Sequence, residues 1–176
     1  VPDCVPVTLQ SLGILSLKIP RWARAWNQNG QPYIKVEDYP FLSVCAPSVH
    51  DTSTLREWWE REQDKWGFWT GMQFPGKCPD GYDAATARTV VSRLLKAGSA
   101  LCLFQIQDLF AIEDKYRVAD ATEERINIPG TVQPSNWSWR LPMKLESLAA
   151  DKAYAKNLRD LVSDRSGRAL PVGTKA

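Results

Sequence analysis

The sequence is poor in the residues that build metal and disulfide sites. It has a single histidine, His50, and four scattered cysteines, Cys4, Cys45, Cys78 and Cys102, with no Cys-x-x-Cys pair. That combination argues against a zinc site. No apolar run approaches the roughly 20 residues of a membrane span, and no segment reads as a secretory leader. A formal net charge of +2, with no block of like charge, is too small to point to a nucleic acid or a membrane surface as partner. No internal repeat and no low-complexity stretch is present. Cys45 and Cys102 fall inside apolar runs, so buried free thiols and a reducing, cytoplasmic compartment are expected. The chain opens on Val1-Pro2-Asp3-Cys4 without a methionine and closes on an unpatterned tail, 166–176, and is expected to be a piece of a longer protein.

What is present reads as a folded α/β chain. Of its 176 residues 44% are hydrophobic and 24% charged, a globular balance. Eight tryptophans outnumber either Tyr or Phe. A tryptophan excess suits proteins that stack on sugars and also suits packed cores; composition alone favours the core.

Three apolar runs predict strands at 13–19, 41–45 and 100–106. Pro20 and Pro47 close the first two, because proline cannot continue a ladder. The runs are nearly continuous in apolar character, as strands covered on both faces are. Between them lie helical patterns. Residues 4–12 form a short helix with Asp3 as cap, and 53–66 a second, capped by Thr52 or Ser53, with Leu55, Trp58, Trp59 and Glu62 at helical spacing. Asp83 caps a third helix, 84–96, whose stripe is Ala87, Val90, Val91, Leu94 and Leu95, and Gly98 ends it. Two short helices are predicted at 145–149 and 152–162. Residues 23–38 read as exposed loop, 67–82 as loop rich in Gly and Pro, and 123–139 as a long irregular loop too rich in Ile and Trp to be disordered. Repeated βα order predicts parallel strands whose polar ends gather on one rim: Arg21-Trp22, His50-Asp51 and Gln107-Asp108.

The central stretch is 39–59, where a histidine and a carboxylate sit side by side as strand passes to helix. The carboxyl ends of parallel strands are where α/β proteins bind ligands and do chemistry. The bland alternative is that Asp51 caps the helix starting at Thr52 and His50 packs beneath it.

Three segments stand out together: Ser48-Val49-His50-Asp51-Thr52 with Trp58-Trp59 behind it, Phe104-Gln105-Ile106-Gln107-Asp108-Leu109, and Glu124-Arg125-Ile126-Asn127-Ile128-Pro129-Gly130-Thr131 continuing to Asn136-Trp137-Ser138-Trp139-Arg140. In order and spacing they resemble the C-terminal part of the catalytic domain of the 4-α-glucanotransferase family, the amylomaltases or disproportionating enzymes. Val1-Pro2-Asp3-Cys4-Val5-Pro6 and Leu12-Gly13-Ile14-Leu15 share the likeness, which covers residues 1–168; 169–176 is tail. The resemblance implies an incomplete (β/α)8 barrel, its last three strands with their helices. It implies transfer of α-1,4-glucan segments with no cofactor, the partners being the glucan and the rest of the barrel. It also implies that the nucleophilic Asp and the acid/base Glu lie N-terminal to this chain, the Glu in a Glu-Asp-Leu-Gly segment just before Val1. The chain alone is then expected to be inactive, and its severed sheet poorly soluble.

By the same resemblance Asp51 is the third carboxylate, accepting hydrogen bonds from the 2-OH and 3-OH of the sugar being transferred, and His50 donates to that sugar. Asn136, more than Asn127, is expected to reach the substrate, although both suit turns. Trp137 would line a glucan groove or pack. Arg21 and Gln107 would contact sugar or hold the rim together, and for Asp108 the holding role is favoured. The rival reading is a non-catalytic sugar-binding module that uses its tryptophans. Such modules are mostly β-sandwiches of alternating strands, unlike the continuously apolar, helix-separated runs here. An aromatic RNA binder would need a basic face that the chain lacks.

Overall fold

The computed structural model describes residues 2–61, 64–163 and 165. Three short strands, β1 (Ser16–Lys18), β2 (Ser43–Cys45) and β3 (Leu101–Cys102), form one parallel sheet in the order β1-β2-β3. Leu17 pairs with Val44 and Val44 with Leu101, while Lys18, Cys45 and Cys102 share the next row. Helices intervene: α1 (Cys4–Ser11), α2 (Leu55–Arg61), α3 (Lys65–Gly71), α4 (Ala84–Leu95), α5 (Ile106–Phe110), α6 (Leu145–Ala150) and α7 (Lys152–Ser163). The expected parallel βα order is present, and the described residues form no β-sandwich.

α4 follows its sequence signal closely. Asp83 accepts the Thr86 N–H at 2.8 Å, and Ala87, Val90, Val91, Leu94 and Leu95 are buried. Past its end, Gly98 donates to the Val36 carbonyl at 2.8 Å, and a Cβ there would sit 2.3 Å from the Tyr39 carbonyl oxygen and 2.6 Å from that of Glu37. Only glycine allows that approach, which seats the chain entering β3 against the segment entering β2.

Five expectations are corrected. Asp3 stands at the N-terminus of α1 but accepts no capping hydrogen bond from it. The helix expected over 53–66 is two helices, α2 and α3, and Glu62 lies outside the described residues. α2 starts at Leu55 because the Leu55 N–H is bound by the Asp108 carboxylate at 2.8 Å and the Glu57 N–H by Thr54 Oγ1 at 3.2 Å. Loop 23–38 is not all exposed: Tyr33 and Val36 are buried, and Arg24 and Tyr33 form an antiparallel bridge. Finally, the strands are shorter than the apolar runs, and α5 takes the end of the third. The sheet is also covered on one face only: Leu17, Leu101 and Leu103 are exposed, whereas Ser43 and Cys45 on the opposite face are buried. The tail, 169–176, lies outside the described residues.

The tryptophans divide. Trp58, Trp59 and Trp69 form a buried aromatic cluster with Phe68, Phe74 and Tyr82, with ring centroids 4.5–6.0 Å apart in edge-on, tilted and stacked geometries. Trp22, Trp26, Trp66 and Trp137 are exposed. All four cysteines are free thiols. Among the described residues no helix is long and apolar enough to cross a membrane.

Candidate functional site

The site is built on the turn that follows β2. The Thr52 N–H donates to the Val49 carbonyl at 2.9 Å, and Thr52 Oγ1 accepts from the Val49 N–H at 3.0 Å. This double clasp across 49–52 leaves His50 and Asp51 at the tip, their side chains 55% and 49% exposed. Both ends of the turn are tied down. Arg21, from the carboxyl end of β1, donates to Ser53 Oγ at 2.7 Å, to the Ser53 carbonyl at 2.8 Å and to the Pro47 carbonyl at 3.1 Å. Asp108, just past β3, accepts from Ser48 Oγ on one side of the turn and from the Leu55 N–H on the other. Asp108 is fully buried, and burial raises its carboxyl pKa above the ordinary value, opposed by the bonds from Ser48 and Leu55 and by the Arg21 charge. One strand end therefore carries the exposed pair, and its two neighbours hold it.

A second element closes over the pair. Loop 125–138 folds back on itself, with the Trp137 N–H donating to the Ile126 carbonyl at 2.7 Å. Asn136 is spent inside the loop: its Oδ1 accepts from the Ile128 N–H at 3.2 Å and its Nδ2 donates to the Thr131 carbonyl at 3.1 Å. Asn127 points outward and donates through Nδ2 to Asp51 Oδ1 at 2.7 Å. His50 Nε2 stands 3.3 Å from Asp51 Oδ2, and the His50 and Trp137 rings lie 5.1 Å apart at 40°. Trp137 holds a left-handed backbone, φ 62°, a conformation a bulky residue adopts only where the surrounding structure enforces it.

Glu124 anchors the start of this loop. Its carboxylate accepts from Arg56 at 2.9 Å and Thr54 Oγ1 at 3.2 Å, and its carbonyl accepts from Gln107 Nε2 at 3.0 Å. Burial raises the Glu124 pKa, and Arg56 opposes that rise. Next in the chain, Arg125 donates to the Asn127 carbonyl at 3.1 Å and reaches Glu57 at 3.4 Å.

The structure thus brings together His50, Asp51, Asn127 and Trp137. It places Asn136 behind them as the loop's internal brace. Arg21 and Gln107 are 4% and 3% exposed, their donors directed inward, which is the rim-holding role of the two open to them. Among the described residues Asp51 caps no helix, since Leu55 and Glu57 are bound by Asp108 and Thr54, and His50 is half-exposed rather than packed under it. Sequence reasoning missed Ser48, Arg56 and Glu124. The available signal was a charge among apolar neighbours for Arg56, between Leu55 and Trp58; Ser48 and Glu124, the latter within Thr122-Glu123-Glu124-Arg125, carried no local signal. Among the described residues no group of His, Cys, Asp and Glu is arranged to hold a metal ion.

Acceptors and donors on an open strand-end rim, beside an exposed indole, are suited to a polyhydroxylated ring. The family profile described as 4-alpha-glucanotransferase matches residues 1–146, and the chain belongs to that family. It is 36% identical over 174 residues to the 4-alpha-glucanotransferase DPE2 of Oryza sativa subsp. japonica, a match covering 97% of this chain and 18% of the rice protein. It is 32% identical over 166 residues to the 4-alpha-glucanotransferase of Chlamydia caviae, covering 93% of this chain and 30% of that one. The chain therefore spans less than a third of either relative. Its fold superposes on the amylomaltase of Streptococcus agalactiae, solved in complex with acarbose, with a TM-score of 0.66, 20% identity and coverage of 94% of this chain and 30% of that one. The amylomaltase of Corynebacterium glutamicum gives a TM-score of 0.63 at 18% identity, covering 96% and 28%. At those identities the likeness speaks for the fold.

Proposed function

We propose that this chain is the C-terminal portion of the (β/α)8 barrel of a 4-α-glucanotransferase and supplies the part of the active site that stabilises the transition state. The parent enzyme moves α-1,4-glucan segments by a retaining double displacement. One carboxylate attacks the anomeric carbon while a carboxylic acid about 5 Å away protonates the leaving oxygen, and a sugar hydroxyl then resolves the glycosyl-enzyme. Both of those groups come from the barrel's earlier strands. The chemistry needs no metal and no organic cofactor.

The observation that carries this reading is Asp51, half-exposed at the end of a central parallel strand with Asn127 bonded to one oxygen. A carboxylate so held can accept from the 2-OH and 3-OH of the reacting glucose. Those bonds strengthen as the ring flattens and positive charge develops, so they lower the barrier. Asn127 fixes the carboxylate's orientation, His50 donates to the same ring, and Trp137 offers a stacking face. Asn136 keeps Asn127 and Trp137 in register, and Arg21 and Gln107 hold the rim. The bare sheet face suits the remainder of the barrel, as does a groove of about 630 Å³ beside β1 lined by Val5, Leu9, Ile14, Leu17 and Phe41. Free thiols fit a reducing, cytoplasmic setting.

The test is Asp51→Ala in the intact enzyme with maltotriose as substrate. Glucose release is expected to fall by about 100- to 1,000-fold, the loss typical of one transition-state electrostatic partner. Undiminished release would remove Asp51 from the mechanism.

A further inference from the structure

Two of the free thiols face each other beneath the rim. Cys45 and Cys102 stand opposite one another in β2 and β3, in register across the parallel pair. Side chains in one row of a sheet point to one face, so both sulfurs lie on the same side, against α4. There the Cys102 thiol donates to the Leu94 carbonyl at 3.5 Å. Cys45 is buried and Cys102 only partly so. Cys102 opens on an apolar cavity of about 270 Å³ whose walls include Val91, Leu95, Leu109, Leu158 and Leu161. Arg165 stands at the link from α4 to β3, donating to the carbonyls of Leu95, Ala97 and Ser99.

The two thiols are unequal. A hydrogen bond from Cys45 and the Arg165 charge lower the Cys102 pKa against the opposing effect of burial, whereas the same contact and burial raise that of Cys45. A partly exposed, more acidic sulfur therefore lies beside a buried, protonated one, the pairing of an attacking and a resolving thiol. Paired residues on neighbouring strands stand about 5 Å apart, within the Cα separation that a disulfide spans. Bond formation draws their Cβ atoms together by about 1 Å. The strand ends that would move are those that hold the turn bearing His50 and Asp51. The Leu103 N–H donates to the Cys45 carbonyl at 2.9 Å, and Ser48, three residues after Cys45, binds both Gln105 and Asp108.

We propose that Cys45 and Cys102 form a peroxide-sensitive pair whose oxidation to a disulfide lowers transfer activity and whose reduction restores it. The Cys102 thiolate attacks one oxygen of a hydroperoxide; the O–O bond breaks, the other oxygen leaves and takes up a proton, and Cys102 becomes a sulfenic acid. The Cys45 sulfur then attacks the Cys102 sulfur, the S–O bond breaks, and the oxygen leaves as water with the Cys45 proton. Two electrons pass from the thiols to the peroxide. A dithiol reverses the step by exchange and is itself oxidised to a disulfide. The effect on activity rests on the glucanotransferase reading; the bond itself does not.

The experiment treats the reduced, intact enzyme with hydrogen peroxide, blocks the remaining thiols and maps the peptides by mass spectrometry. A peptide linking Cys45 to Cys102 is expected. Glucose release from maltotriose should fall about tenfold or more, within the roughly 100-fold that a 1 Å misplacement can cost, and dithiothreitol should restore it. Cys102→Ala should remain active and resist peroxide. Cys45→Ala should stop at the Cys102 sulfenic acid, which dimedone traps. The wild-type linkage is read without any variant, so a variant that fails to fold does not remove the test. Both thiols still open to alkylation after peroxide, oxidation confined to the exposed Cys4, or a linked pair with undiminished activity would overturn the proposal. The two readings fail separately: a reduced wild type that releases no glucose from maltotriose defeats the glucanotransferase reading, whereas transfer that peroxide leaves intact defeats only the switch.

Discussion

Asp108 is the group on which the rim's geometry depends most, and its removal has a calculable effect. It touches no exposed ligand surface, yet one oxygen holds Ser48 and the other holds the Leu55 N–H. Asp108→Ala leaves the buried Leu55 N–H without an acceptor and Ser48 Oγ with only the Gln105 side-chain oxygen, at 3.1 Å. Hydrogen bonds to a charged group contribute about 1.5–3 kcal/mol each, so the gross loss is at most about 3–6 kcal/mol. Relief of the buried carboxylate's desolvation returns part of this, which brings the expected net destabilisation to about 2–4 kcal/mol. Asp108→Asn keeps an acceptor for Leu55 and should lose only about 1–2 kcal/mol. The assay is urea denaturation of the intact enzyme, with kcat on maltotriose measured in parallel. Activity should fall in both variants, because the turn presenting His50 and Asp51 loosens at both ends. The acid side supplies a further check. Burial raises the Asp108 pKa in the fold, so the folded state holds this proton more tightly than the unfolded chain does. Ionisation therefore removes stability as pH rises from the ordinary carboxylate value through the raised one. In Asp108→Asn that fall should be absent. A stability change below about 0.5 kcal/mol for Asp108→Ala, the range of an uninvolved surface site, would refute the bracket.

Two further outcomes are expected. Asn127→Ala should lower kcat about tenfold with little change in KM, since it frees one oxygen of Asp51 to rotate without removing a sugar contact; an effect confined to KM would show Asn127 binding the ground state instead. Asp83→Ala should destabilise α4 by about 1 kcal/mol at neutral pH. Its backbone bond to Thr86 holds the Asp83 pKa below the ordinary value. The contribution is therefore fully present above the unfolded carboxylate pKa and lost as pH falls through the folded one, so wild type and variant should converge in acid.

Much of this arrangement was legible in the chain. Apolar runs stopped by Pro20 and Pro47, with helical stripes between them, carry parallel order, because a buried strand and an amphipathic helix each have their own period. Asp83 ahead of a five-residue apolar stripe defines α4 almost to the residue. His50-Asp51 at a strand-to-helix turn indicates a rim site, and the family segments indicate which loop faces it. What escaped depends on partners far along the chain. The true start of α2 is set by Asp108, more than 50 residues away. Nothing local distinguishes Asn127, aimed at Asp51, from Asn136, turned back into its own loop. Arg21 and Gln107 look like rim ligands until Ser53 and Glu124 are seen to occupy their donors. Tyr33 and Val36 sit in a polar stretch whose burial comes from the core on which they land. The strands read as covered on both faces because their composition suits a closed barrel, of which this chain supplies one part in the present reading.

The most direct measurement is a crystal structure of the intact enzyme with a bound, non-cleavable maltooligosaccharide analogue. The account predicts Asp51 carboxylate oxygens within about 3 Å of O2 and O3 of the ring at the point of cleavage, with Asn127 still bonded to that carboxylate. A reacting ring bound elsewhere, with Asp51 facing solvent or the barrel wall, would contradict it.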